Sequence, residues 1–193
     1  PFPCIQHEHL DSLWNPNVVL CLSLSKLGLP AARTGIIVAD ESIIEALTAF
    51  NATAALAPPS TGPVIVEPLL RSGELASLCR DHLRPHYAAH SAAAVQALRE
   101  ACVGLPLRIH RPEGAFFLWL WFPGLPISSE ELYRRLKQRN VLVLSGHHFF
   151  PGVAQDDPHQ HECLRLSYAQ PPESVQAGIA ILAEEVRRAY ERG

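Results

Sequence analysis

Apolar positions change their period several times along the chain, and each change predicts an element. Two short runs, 18–22 (Val-Val-Leu-Cys-Leu) and 36–39 (Ile-Ile-Val-Ala), lack helical period and are rich in β-branched residues. Both predict buried strands. Asp40 then stands as a helix N-cap, and Ile43, Ile44 and Leu47 recur at helical spacing through 41–50. Residues 51–63 contain Pro58-Pro59-Ser60-Thr61-Gly62-Pro63, a breaker cluster that predicts an ordered loop. From 64 to 102 the pattern is mainly helical, with Leu75, Leu78, Leu83, Val95 and Leu98 on an apolar side. Pro68 and Pro85 predict bends or fresh starts within it.

The second half returns to strands. Residues 107–110 alternate, and 116–122 are seven apolar residues in a row, read as a core strand buried on both faces or with one face on a partner. Ser128 or Ser129 caps a helix running through Leu132, Leu136 and Arg139, with Glu131 placed to complete a capping box. Residues 141–144 predict a strand and 151–162 a polar loop rich in Pro, Asp and His. In 163–168, Leu164 and Leu166 share one face, so Arg165 points the other way. Residues 172–192 form a closing amphipathic helix: Val175, Ile179, Leu182 and Val186 face inward, while Glu184, Glu185, Arg187 and Arg188 face outward. The alternation reads as α/β for the first third and α+β for the rest.

Composition narrows the classes. The 193 residues are 48% hydrophobic, enough for a sizeable core, and the net charge of −3 gives no sign of a nucleic-acid or anionic-membrane partner. No apolar run approaches the roughly 20 residues of a membrane span. Five scattered cysteines, Cys4, Cys21, Cys79, Cys102 and Cys163, read as reduced packing residues of a cytoplasmic protein. There is no methionine, and the chain opens on Pro1-Phe2-Pro3, which predicts a chain lacking its beginning.

The chemistry concentrates between the first two apolar runs, in Ser23-Leu24-Ser25-Lys26-Leu27-Gly28-Leu29-Pro30-Ala31-Ala32-Arg33. A lysine delivered into an apolar core is costly unless used or paired, and burial lowers its pKa toward that of a Schiff-base nucleophile. The Ser23 hydroxyl and the Arg33 guanidinium flank Lys26 and suit a phosphate dianion. Elsewhere, His7, Glu8 and His9 read as a solvated helix end. His147, His148, His159 and His161 lack a recognisable ligand spacing, so they read as a solvated loop with no metal.

At the Ser23–Lys26–Arg33 stretch the chain resembles the class I/II aminotransferases, with the aspartate aminotransferase-like fold. Arg33 lies one residue earlier than the commonest family spacing. The resemblance extends through Pro112-Glu113-Gly114, which resembles the first small-domain hairpin, and Ser145-Gly146-His147-His148-Phe149-Phe150, where Ser145 stands in place of the usual proline. It implies a C-terminal half: residues 1–75 as the remainder of a cofactor-binding large domain, and 76–193 as the connecting helix and small domain. It implies pyridoxal 5′-phosphate on Lys26, with Ser23 and Arg33 on the phosphate and Arg165 on the substrate carboxylate. Amino-acid and 2-oxo-acid substrates follow, most specifically valine with pyruvate, in a homodimer when full length. The isolated stretch is expected to be inactive.

Two other readings compete. Ser23-x-x-Lys26 matches the serine–lysine pair of penicillin-binding proteins, but the Lys-Thr-Gly and Ser-x-Asn elements that pair needs do not follow. An aminotransferase-like sensor domain of a transcriptional regulator would keep Lys26 and need a DNA-binding helix-turn-helix upstream.

Overall fold

The computed structural model describes residues 16–56, 59–153 and 157–192, so the reading of His7, Glu8 and His9 lies outside the described residues. Strands and helices alternate as expected of an α/β chain, and they gather into two compact units, Pro1–Arg84 and Pro85–Gly193.

In the first unit, β1 (Leu20–Ser23) and β2 (Gly35–Val38) pair as an antiparallel ribbon, with Leu20 opposite Val38 and Ser23 opposite Gly35. These strands were expected to be buried. Instead Leu22, Ile37 and Val38 are exposed. The correction is topological: a two-stranded ribbon has no neighbouring strands, so among the described residues Leu22, Ile37 and Val38 are left uncovered while Ile36 packs on the Leu24 cluster.

Asp40 caps α1 (Glu41–Ala55) as the sequence indicates, accepting from the Ser42 backbone N–H at 3.1 Å. The predicted loop at 51–63 is shorter than expected. Helix α1 runs on to Ala55, and α2 (Thr61–Arg71) starts inside the breaker cluster, because Pro63 falls in the first turn, where a missing N–H costs nothing. Helix α3 (Glu74–Leu78), a π turn over Cys79–Leu83 and α4 (Arg84–Ala101) follow. The wide turn sits just before Pro85, whose ring cannot accept an ordinary α turn ahead of it. Fully buried apolar side chains of this unit are Leu24, Val66 and Leu75, with Leu27, Leu29, Ala32, Ile36, Leu69 and Cys79 packed on them.

The second unit has the larger core. Strands β3 (Arg108–Ile109), β4 (Phe117–Trp121), β5 (Leu144–Ser145) and β6 (Cys163–Ser167) form an antiparallel sheet in the order β3-β4-β6-β5. The 116–122 run is buried on one face only. Leu118, Leu120 and Phe122 enter the core, while Phe117, Trp119 and Trp121 are half-buried on the other. Leu164 and Leu166 join the inner face, and α5 (Ser129–Gln138), the short α6 (Pro158–His161) and α7 (Pro172–Arg192) complete the unit. The strand expected at 141–144 reduces to Leu144–Ser145. Ser128 caps α5, accepting from Glu131 N–H at 3.2 Å.

Glu185 was expected to face outward. It is buried and accepts from Arg139 at 2.9 Å and Arg188 at 2.7 Å. Two guanidiniums make this burial tolerable, and the contact ties the end of α5 to the middle of α7.

Candidate active site

The lysine loop is built from two short 3-10 turns, Leu24–Lys26 and Pro30–Ala32. Leu24 is the fully buried member of the first turn and anchors it in the apolar cluster. The loop closes on itself: Leu24 N–H donates to Thr34 O at 3.2 Å, and Leu27 and Leu29 N–H donate to Leu24 O at 3.0 Å. Gly62 of α2 approaches so closely that a Cβ there would collide with Thr34 Oγ1 and Ala32 O. Cys79 Sγ lies 3.8 Å from Leu27 O on another side of the loop.

Lys26 ends the first turn and is exposed, which corrects the expectation of a lysine buried in an apolar core. The reason is the tight turn, which commits Leu24 to the interior and carries the lysine away from it. Ser23 and Arg33 are likewise exposed. Arg33 adopts the left-handed region at φ 45°, and its Nη1 donates to Ser25 Oγ at 3.4 Å. A non-glycine residue in that region is uncommon and marks a loop held by its surroundings. Ser25 escaped the sequence reading; its signal was a second hydroxyl immediately before the lysine. An amine, two hydroxyls and a guanidinium on one exposed loop fit an aldehyde that also carries a phosphate.

Arg165 belongs to the second unit and is described there. It sits on β6, opposite Trp119 of β4 and Leu144 of β5. Its guanidinium lies over the Phe117 ring at 4.1 Å and the Phe149 ring at 4.9 Å. Among the described residues no carboxylate pairs with it within 4.0 Å, although seven other arginines take acidic partners. A half-buried guanidinium kept from acidic side chains can receive a planar carboxylate at both ends of its fork.

The histidines lie beside this face of the sheet. His147 Nδ1 and Ser145 Oγ are 2.7 Å apart, and Ser145 Oγ is 2.6 Å from Ser129 Oγ. Thus Ser145, which stands in place of the proline usual in the resembled pattern, is a hydrogen-bonding post. His147 packs on His148 with centroids 3.9 Å apart, and His159 packs against Trp121 and Phe150. The described residues contain no group of three or more His, Cys, Asp or Glu able to hold a metal ion. Burial pushes the Cys163 and Cys102 thiols up to about 11, which keeps them protonated and poor nucleophiles.

The comparisons with known proteins agree with one another. Residues 9–182 match the family described as aminotransferase class I and II. The chain is 46% identical over 190 residues to the valine–pyruvate aminotransferase of Escherichia coli, covering 98% of this chain and 46% of that protein. The crystal structure of valine–pyruvate aminotransferase from Salmonella typhimurium superposes with a TM-score of 0.88 at 43% identity, over 96% of this chain and 48% of that one. An α-aminoadipate aminotransferase from Thermus thermophilus, complexed with N-(5′-phosphopyridoxyl)-L-leucine, gives a TM-score of 0.79 at 28% identity, over 92% and 44% of the two chains. The chain therefore spans about half the length of the relatives it matches most extensively.

Proposed function

The chain belongs to the class I and II aminotransferases, and from that premise we propose that it is the C-terminal part of a pyridoxal-phosphate enzyme that exchanges an amino group between valine and pyruvate. The observation that carries the reading is 46% identity to a valine–pyruvate aminotransferase, sustained over 98% of the chain. In this reading residues 1–75 are the remainder of the cofactor-binding domain, and 76–193 are the connecting helix and small domain. The complete protein works as a cytoplasmic homodimer on amino-acid and 2-oxo-acid substrates.

The residues divide the work by their chemistry. Lys26 is the attachment point for the cofactor aldehyde, and Ser23, Ser25 and Arg33 hold its phosphate through O–H and N–H donors. When bound, the pyridoxal ring acts as an electron sink for charge developing at the substrate Cα. Lys26 Nζ is the group that would take the Cα proton and later return one. Arg165 grips the α-carboxylate through paired N–H donors, and this fixes the orientation of the Cα–H bond.

The test is Lys26→Ala in the complete protein. It is expected to abolish valine–pyruvate transamination and the visible absorbance of the lysine-bound cofactor, while the purified variant stays folded. Turnover retained in that variant removes Lys26 from the mechanism. In the parent enzyme, turnover with other donors but none with valine removes only the substrate assignment.

A further inference from the structure

The Arg165 guanidinium carbon lies over two aromatic rings, Phe117 at 4.1 Å and Phe149 at 4.9 Å, and no acidic side chain among the described residues pairs with it. That combination is useful. A ring attracts a cation through its π face and carries no hydrogen-bond acceptor oxygen, so it can orient an arginine without taking the place of a carboxylate. An acidic partner would orient the arginine too, but it would occupy the fork.

The two rings are themselves fixed. Phe117 leads β4, whose register against β6 places Phe117 opposite Ser167 and Trp119 opposite Arg165. Phe149 ends a 3-10 turn, Gly146–Phe149, and is held by three ties. Trp119 meets its ring edge-on, with centroids 5.4 Å apart and planes at 86°. Gly146 lies so near β6 that a Cβ there would stand 2.6 Å from Cys163 Cβ and from Cys163 O. Ser145, at the head of the turn, is bound to Ser129.

We propose that Phe117 and Phe149 are positioning residues for substrate binding: they hold the Arg165 guanidinium in the orientation that accepts the α-carboxylate. The proposal rests on the reading of Arg165 as the carboxylate ligand. A flexible arginine must lose its rotamer freedom each time a carboxylate arrives; the rings impose that order beforehand.

The experiment uses the complete holoenzyme. Phe149→Leu, Phe117→Leu, Phe149→Tyr and Arg165→Lys are compared for valine KM and kcat, and for competitive inhibition by isobutylamine, which has the valine side chain and no carboxylate. Phe149 is 40% exposed, so its loss should not unfold the unit. Either leucine variant is expected to raise the valine KM roughly tenfold while kcat changes little, as for loss of an interaction made equally in ground and transition states. Isobutylamine inhibition should be unchanged, and Phe149→Tyr, which keeps the ring, should restore the KM. Leucine variants with normal KM beside an Arg165→Lys variant with a raised KM overturn the proposal and leave the carboxylate reading standing. An unchanged KM in Arg165→Lys overturns both. Equal losses for valine and isobutylamine point to general damage and overturn the positioning role.

Discussion

At the scale of single residues, His147 is expected to give the fold a pH dependence. Burial, then the neighbouring His148, hold its pKa below the ordinary histidine value; Glu130 opposes them and His161 adds to them. The folded chain thus favours the neutral ring, so the stabilisation is complete above the unfolded value of about 6.5 and is lost as pH falls through the lower folded value. A His147→Gln variant should therefore show a shallower fall in Tm between about pH 7 and pH 5 than the parent. Identical slopes would remove His147 as the source. Sequence alone made some single residues plain and hid others. Strand alternation sets Arg165 against the leucines without any tertiary knowledge. The outward aim of Lys26 was hidden because it depends on a tight turn committing Leu24 to the core. Phe149 was hidden because its partner lies 16 residues away, and the two meet only through sheet register.

At the scale of elements, the lysine loop is shaped by what packs against it. Gly62 opens the first turn of α2 where any Cβ would strike Thr34 and Ala32. Gly62→Ala should therefore cost about 1–3 kcal/mol, as overpacking usually does, and should weaken pyridoxal-phosphate binding in the complete protein. Urea unfolding and cofactor titration check both, and unchanged values would disprove the packing. Helix caps and amphipathic faces were legible: Asp40, Ser128 and the inward stripe of α7 are local signals read by local rules. Less legible was Glu185, whose helical position looks solvent-facing until Arg139 of the preceding α–β segment folds against it. The breaker cluster at 58–63 misled for a related reason, since proline is welcome in a first helical turn, and α2 also carries Pro68 in its interior without ending there.

At the scale of the whole molecule, the two units differ in how much apolar surface each encloses. The second has a continuous core from Ala94 to Ala189, whereas the first fully buries Leu24, Val66 and Leu75 among its described apolar residues. Local opening is easiest where few buried contacts oppose it. Hydrogen exchange on the 193-residue chain should show amides of β4, β6 and α7 protected well beyond those of β1 and β2. Equal protection would contradict that ordering. The fold class was visible because strand and helix periods alternate over long distances. The exposure of β1 and β2 was not, because hydrophobicity records what a strand requires and says nothing about whether its neighbours are at hand.

The β1–β2 ribbon has one further consequence. Among the described residues no third strand pairs with it, and Leu22, Ile37 and Val38 are exposed. Such a ribbon is adhesive toward any extended polypeptide, including another copy of itself. These 193 residues, produced alone, should therefore self-associate as concentration rises, and strands supplied along both flanks would keep them dispersed.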